Sequence, residues 1–389
     1  MLVVVLLLGM STWFSASAVI PQLRDEWAMS AGTAAWLTIA VQLGFVGGAL
    51  FSSVFNVADI LEAQRVIFIG AIGAALVNAL LLAVDSPAPA IALRFGTGFF
   101  LAGVYPPALK LIATWYRSGR GVAVGILVGA LTVGTGAPHL VNGLGGLEWQ
   151  TVVWATSAIT AAGALVVMTV RVGPYPFARA QFDPRQVGVV FKSRGVRLAS
   201  LGYFGHMWEL YGMWAWFVVF FRAVLEEHAV TDGTLAAYVT FAVIGIGALG
   251  CWIGGVAGDR WGRTRTTTAM MATSAACCLL VPALFGAPVW AIVVLGLLWG
   301  VAVVGDSAQF STMVTELADQ AYVGTALTLQ LAIGFTLTVA TIWLLPLLAE
   351  SLTWRWAFAF LAPGPALGCV AMIRLRRSPE AAHIAGGRG

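Results

Sequence analysis

Long apolar stretches alternate with short polar turns along the whole chain. A helix needs about 20 apolar residues to cross the ~30 Å hydrocarbon layer of a membrane, and these stretches reach that length. The expected fold class is therefore an all-α polytopic membrane protein. The pattern predicts twelve transmembrane helices, at residues 2–20, 33–55, 66–84, 89–115, 121–144, 150–172, 199–225, 235–254, 266–285, 289–316, 324–348 and 354–373.

One long connector, rich in Arg, Pro and Gly, divides the predicted helices into two groups of six. Asp59 follows the second stretch and Asp259 follows the eighth, 200 residues later, which indicates a parallel repeat. Repeats of this kind bind their substrate at the repeat interface near the middle of the membrane. We expect an N-terminal six-helix bundle at 1–172, a cytoplasmic linker at 173–197, a C-terminal six-helix bundle at 198–376 and a cytoplasmic tail at 377–389.

Composition agrees with solvation by lipid. The 389 residues are 60% hydrophobic and 10% charged, against about 25% charged residues in soluble domains. The net charge of +4 is too small to indicate nucleic-acid binding. All four cysteines lie in apolar stretches without zinc-ligand spacing, which favours small buried side chains. Residues 1–18 lack the basic start of a signal peptide, so we interpret them as a retained first span.

Positive charge predicts the orientation in the membrane. With the N-terminus in the cytoplasm, sixteen Lys and Arg residues fall on the cytoplasmic side and three on the outer side. The remaining two, Arg94 and Lys110, lie within the fourth stretch. We therefore predict a multi-pass protein of the cell inner (plasma) membrane with both termini in the cytoplasm.

A charged, glycine-bearing turn joins the eighth and ninth stretches. It reads Gly-Val-Ala-Gly-Asp-Arg-Trp-Gly-Arg-Thr-Arg over residues 255–265 and resembles the signature loop of the major facilitator superfamily. The resemblance implies two pseudo-symmetric six-helix bundles, the major facilitator fold, working by alternating access. It also implies a conformational latch at the cytoplasmic face that holds the two halves together while the outside is open, with Gly255, Asp259, Arg260, Gly262 and Arg263 as its residues. The equivalent turn of the first half, 55–65, keeps Asp59 and Arg65.

Ionisable side chains inside a membrane are costly and indicate function. The resemblance places the first, fourth, seventh and tenth spans around a central cavity. Of the six ionisable residues within predicted spans, all except His139 lie on these four spans. On the tenth span, Gln309 follows Asp306 by three residues and shares its face. The six ionisable residues within predicted spans are Arg94, Lys110, His139, His206, Glu209 and Asp306.

For proton coupling we predict Asp306 and Glu209. His206 and Glu209 are three residues apart, so an imidazole and a carboxylate share one helical face and form a plausible proton-accepting pair. The alternative for Asp306 is a structural polar pair with Lys110 or Arg94 across the cavity. The alternative for Glu209 is neutralisation of an arginine.

For substrate binding we predict six residues of the same spans, each with a structural alternative. Arg94 could instead form a fixed ion pair or extend to the outer surface, and Lys110 could extend to the cytoplasmic end. Pro106 and Pro107 could simply kink the fourth span, and His139 is interpreted as a satisfied core histidine. The predicted substrate-binding residues are Arg94, Tyr105, Lys110, His206, Gln309 and Trp13.

These residues predict a secondary active transporter of a small solute, coupled to protons as a symporter or antiporter. Arg94, Lys110 and the histidines favour a small organic or inorganic anion. An exporter of cationic or amphipathic drug-like compounds, or a membrane receptor that does not transport, remains an alternative. The sequence contains no phosphate-binding loop for ATP, no metal site and no nucleophile–base motif, so we expect no enzyme activity and no cofactor. The expected partners are the substrate, protons and the lipid bilayer, not nucleic acid, with the protein a monomer.

Overall fold

The apolar stretches fold as helices, which confirms the predicted all-α class. A computed structural model describes residues 1–116, 120–145, 148–175, 187–319 and 322–389, and these residues include helices and turns but no strand. Ten helical stretches are long and apolar enough to cross a membrane. The last of them, Val323–Arg376, is divided by Thr353, whose φ of 65° is not helical. Together with an interrupted first span, this gives the twelve predicted crossings.

The first six spans begin and end within a few residues of their predicted positions. Two of them, the first and the fourth, each consist of two helices with a break between. In chain order the helices are Leu2–Gly9 with Ile20–Glu26, Ala31–Val54, Ala63–Ala79, Pro87–Leu101 with Tyr105–Ala113, Arg120–Leu144 and Trp149–Val167.

The second six spans follow the same pattern, and the eighth and tenth each consist of two helices with one residue between them. The seventh begins five residues earlier than predicted, inside the predicted linker, where the hydroxyl of Ser193 accepts the backbone N–H of Val196 at 3.4 Å. The helices are Arg194–Glu227, Gly233–Gly245 with Gly247–Trp261, Arg263–Leu284, Val289–Gly305 with Ser307–Leu317, Val323–Ala357 and Pro363–Arg376.

The first span differs most from its prediction as one continuous helix. Residues 10–16 form successive turns instead. The segment carries hydroxyl groups that compete for backbone carbonyls: the hydroxyl of Ser11 donates to Leu7 O at 3.4 Å, and that of Ser15 donates to Thr12 O at 3.1 Å. Backbone carbonyls that leave a helix inside a membrane need other partners. The fourth span supplies them through Arg94.

The two groups of six spans touch through two pairs of helices. The fifth span packs along the eighth, and the second packs along the eleventh. Glycines permit the first of these contacts, because a side chain at Gly125 would meet the backbone of Cys251 and one at Gly129 would meet Ala248. The second pair includes a contact of 3.4 Å between the hydroxyls of Ser53 and Thr328. The candidate site lies between these two pairs.

Candidate functional site

Arg94 is fully buried and holds the interrupted first span in place. Its Nη1 donates to Thr12 O at 3.0 Å and to Ser15 Oγ at 2.9 Å, and its Nη2 donates to Trp13 O. Its Nε donates to Leu37 O of the second span at 3.3 Å. The guanidinium therefore satisfies carbonyls that the broken helix exposes.

Asn78 of the third span completes this network. Its Oδ1 accepts from Arg94 Nη1 at 2.8 Å and from Ser15 Oγ at 2.6 Å, and its Nδ2 donates to Ser157 of the sixth span at 2.9 Å. Every hydrogen-bond partner that the structure gives Arg94 thus lies in the first half. The sequence predicted Arg94 for substrate binding; the structure places it among backbone carbonyls and neutral side chains of its own bundle.

His206 and Asp306 meet between the seventh and tenth spans. His206 Nδ1 lies 2.8 Å from Asp306 Oδ1, and its Nε2 lies 2.8 Å from the hydroxyl of Ser307. Both residues are buried, with 3% and 1% of their surfaces exposed. Asp306 is the break between the two helices of the tenth span, which allows its side chain to turn toward the seventh. The alternative pair of Asp306 with Lys110 or Arg94 is therefore replaced by a pair with His206.

Glu209 lies one turn along the seventh span from His206, in a separate polar cluster. Its Oε1 accepts from Ser274 Oγ at 2.6 Å, from Trp299 Nε1 at 2.6 Å and from Cys278 Sγ at 3.1 Å. These donors come from the ninth and tenth spans. Three donors on one oxygen stabilise a carboxylate that would otherwise be costly in the membrane.

Aromatic rings fill the space between the two halves at mid-span. We call this group the aromatic seam. The Trp13 ring lies 5.0 Å from Phe45 in its own half and 5.8 Å from both Tyr211 and Phe335 in the other half. The rings of Phe45 and Phe335 join the second and eleventh spans at 4.7 Å. The members are Trp13, Phe14, Phe45, Tyr211, Trp214 and Phe335.

Several polar side-chain atoms, two of them in the seam, are buried without a hydrogen-bond partner in the described part of the chain. They are neutral groups that come from both halves. Each such group costs about 1–3 kcal/mol when it is left unpaired. They are Thr12 Oγ1, Trp13 Nε1, both amide atoms of Gln42, Trp214 Nε1, Gln330 Nε2 and both ring nitrogens of His139.

The sequence identified Trp13 here but missed Gln42, Gln330, Tyr211, Trp214 and Phe335. A signal for the two glutamines was present, because each is an uncharged amide within an otherwise apolar span. His139 was interpreted as a core histidine with satisfied hydrogen bonds. It is fully buried, as expected, but neither ring nitrogen has a hydrogen-bond partner among the described residues.

Two further predicted substrate-binding residues belong to the second helix of the fourth span. Tyr105 begins the second helix of the fourth span, just after the break at 102–104, and is half-buried, as is Lys110. Gln309 is buried away from the seam: its Nε2 donates to Gly254 O at 3.1 Å, and its Oε1 accepts from Arg263 at 2.9 Å. Gln309 therefore belongs with the predicted latch.

The latch residues join the eighth, ninth and tenth spans. Arg263 forms a forked pair with Glu316, with Nε–Oε2 and Nη2–Oε1 distances of 3.0 Å, and lies 3.4 Å from Asp259. Gly262, with φ of 100°, ends the eighth span and begins the ninth. The partners of Arg263 all lie in the second half. Gly255, in contrast, is buried near Gly125 of the fifth span and so contacts the first half. Arg260 is exposed.

The corresponding turn of the first half is simpler. Arg65 pairs with Glu62 at 3.3 Å, and both side chains are about two-thirds exposed, at 65% and 67%. Exposed pairs of this kind contribute about 0–1 kcal/mol. The side chain of Asp59 lies outside the described residues.

The C-terminal tail folds over the second-half latch. Arg388 Nη1 donates to Asp259 O at 2.5 Å, and the hydroxyl of Thr264 donates to Gly389 O at 2.6 Å. The backbone N–H of Ala385 donates to Glu316 Oε2 at 3.2 Å, so the tail and Arg263 share one carboxylate. In the described ranges, no group of three His, Cys, Asp or Glu residues is arranged to hold a metal ion.

Comparisons with known proteins agree with this architecture. The family model described as Major Facilitator Superfamily matches residues 1–255 and 210–389. The Cephamycin export protein CmcT of Amycolatopsis lactamdurans is 27% identical over 190 residues, which cover 47% of this chain and only 38% of that relative. A crystal structure of the nucleoside transporter NupG superposes with a TM-score of 0.72 at 14% identity, covering 96% of this chain and 98% of that one. At that identity the superposition shows a shared fold and nothing further.

Proposed function

The chain belongs to the major facilitator superfamily, and from that premise we propose that it moves a small solute across the membrane by alternating access, driven by protons. The arrangement of the halves supports this proposal. They meet through two helix pairs and the aromatic seam, and the seam contains unpaired polar atoms from both sides. A rocking motion about the helix pairs would open the seam to one side and then to the other.

The single observation that carries proton coupling is the buried contact of His206 with Asp306. An imidazole and a carboxylate 2.8 Å apart attract each other when the imidazole carries a proton and the carboxylate does not. Asp306 Oδ1 accepts no aligned hydrogen bond in the described residues, so the contact with His206 is an electrostatic one. A second proton would make the carboxyl neutral and remove the attraction. Proton loading would then loosen the seventh span from the tenth.

Glu209 is the second candidate for coupling, one turn away on the seventh span. Its three donors hold the carboxyl group in one position, which suits a fixed structural role better than that of a proton carrier. Asp306 is therefore the preferred coupling residue. If Asp306→Asn leaves proton-driven uptake unchanged, Glu209 becomes the preferred candidate.

The seam favours an amphipathic solute. Its rings offer flat apolar contact, and its unpaired groups are neutral donors and acceptors. The anion predicted from the sequence has less support, because Arg94 is engaged within its own half. The similarity to a protein named for cephamycin export favours outward transport of such a compound. That similarity spans only 38% of the relative, so substrate and direction are part of the proposal.

Proteoliposomes with an imposed pH gradient test the coupling. Nicotinamide and nicotinate serve as first probes because they share one flat ring and differ in charge. We expect gradient-driven accumulation by the wild type, and Asp306→Asn should abolish it while counterflow exchange continues. Glu350→Gln, an exposed acid at the end of the eleventh span, is the matched control and should change neither.

Two outcomes would contradict the proposal. Unchanged gradient-driven uptake in Asp306→Asn would remove that carboxyl from the coupling step. A probe that binds the wild type but is never accumulated would indicate a receptor. For the seam, Trp13→Phe keeps an aromatic ring, although a smaller one, and loses the N–H donor, which should weaken probe binding at least about 5-fold, the equivalent of a neutral hydrogen bond.

A further inference from the structure

A groove outside the seam lies where the seventh span begins and the twelfth ends. It has a volume of about 400 Å³ and is lined by Arg194, Arg197, Leu198, Leu201 and Arg374. The three arginines are exposed, and Leu201 is 53% exposed. The transport proposal uses none of these residues.

The lining residues are ordered by polarity along the helix. Positions 194, 197, 198 and 201 share one face of the seventh span because helical neighbours recur every three to four residues. The arginines stand at the helix end, and the leucines follow one to two turns deeper into the apolar span. Arg374 comes from the last turn of the antiparallel twelfth span, so all three cations lie at one level.

This order matches the shape of a phospholipid. Guanidinium groups bind phosphate oxygens in a forked geometry, and the exposed Leu201 below them offers contact to an acyl chain, with the buried Leu198 at the base of the groove. Basic pockets between transmembrane helices suit anionic headgroups. We infer that the groove binds one anionic phospholipid, with its phosphate between Arg194, Arg197 and Arg374 and a chain along Leu198 and Leu201.

The tail modulates this groove through one acid. The side chain of Glu380, on the tail, lies beside Gly195, the residue that follows Arg194 in the chain. This carboxylate offsets part of the charge of one arginine and leaves the other two for the lipid. Its removal should strengthen lipid binding.

The test compares lipid retention by the full-length protein. Native mass spectrometry after exchange into phosphatidylglycerol or phosphatidylcholine nanodiscs should show one retained phosphatidylglycerol. The double variant Arg194→Gln/Arg374→Gln should weaken that binding about 10–30-fold, since each basic residue near the surface contributes up to about a fivefold factor. Glu380→Gln should increase retention. The matched control is Arg376→Gln/Arg377→Gln, two exposed arginines of the same helix end that do not line the groove. It should retain the lipid as the wild type does.

Three results would overturn the inference. An equal loss in the control pair would show unspecific attraction to a charged surface. Competition by soluble glycerol 3-phosphate as strong as by the lipid would indicate a phosphate site instead. No effect of Leu201→Ala, a variant that keeps every charge, would exclude the acyl-chain contact. Because lipid retention is measured without transport, failure here leaves the proton-coupled function standing, and the reverse also holds.

Discussion

The role of Arg94 gives the sharpest prediction, because the sequence and the structure assign it differently. In the structure, its guanidinium holds backbone carbonyls of the interrupted first span, together with Ser15 and Asn78. Arg94→Ala would remove all of these donors at once. We expect the variant to unfold locally at residues 10–16, with the substrate site lost as a consequence rather than as a cause.

The magnitude follows from two opposing terms. Arg94 donates to Leu37 O and Trp13 O, and the two hydrogens of Nη1 are shared among Thr12 O, Ser15 Oγ and Asn78 Oδ1. Removal of the arginine also removes the cost of burying its charge, which is several kcal/mol. It leaves buried carbonyls without a donor, at about 1–3 kcal/mol for each group left unpaired, so we expect a net loss of about 2–4 kcal/mol. Arg94→Lys keeps the charge and three donors and should lose about half as much.

Hydrogen–deuterium exchange and thermal unfolding in nanodiscs measure this. In Arg94→Lys, exchange should rise at residues 10–16 and stay unchanged in the ninth span, which does not contact the network. The melting temperature should fall in the order wild type, Arg94→Lys, Arg94→Ala. A variant Arg94→Ala with unchanged exchange and melting temperature, but with weaker binding of nicotinate, would refute this reasoning and restore the anion site predicted from sequence.

Three further predictions concern packing, motion and pH. Gly254→Ala should cost about 1–3 kcal/mol of stability because its new methyl group would overlap the backbone of the tenth span, whereas Gly286→Ala, with open space around it, should melt as the wild type does. A reversible disulfide in Ser53→Cys/Thr328→Cys should stop transport until it is reduced, since the two hydroxyls lie 3.4 Å apart across the halves; full activity of the oxidised protein would contradict rocking at this contact. Hydrogen bonds from the next helix start hold the pKa of Asp232 below its ordinary 3.8, so its contribution is present above pH 3.8 and is lost as the pH falls through the lowered value. The melting-temperature gap between wild type and Asp232→Ala should therefore be full at pH 7 and shrink in acid.

Much of the fold could be predicted because hydrophobic length and charge asymmetry act locally along the chain. The interruption of the first span could not, since residues 10–16 continue the apolar stretch with only three small hydroxyl side chains among them. The hydroxyls of Ser11, Thr12 and Ser15 were the available signal. They became decisive only because a guanidinium from a distant span lies next to them.

The candidate site, like the fold, could be predicted only in part from the sequence. His206 and Asp306 could be selected one by one, because an ionisable group inside an apolar span is costly. Their pairing joins residues 100 positions apart and depends on the break in the tenth span. No local sequence pattern predicts that break. The engagement of Gln309 with Arg263 was hidden for the same reason: a shared helical face with Asp306 does not decide which neighbour a side chain meets.

The distribution of charge suits the proposed motion, in which the two halves separate. The hydrogen-bond partners of Arg94 lie in the first half, and the polar partners of Glu209 and Asp306 lie in the second. The seam between the halves is instead aromatic and neutral. A charged pair across it would cost several kcal/mol to break inside the membrane at every cycle. Ring contacts cost far less to part, about 0.5–1.5 kcal/mol each beyond their buried area. Unpaired neutral groups, which gain partners when water or a solute enters, would favour opening. Stability is thus held within each bundle, and the surface between them is left weak enough to move.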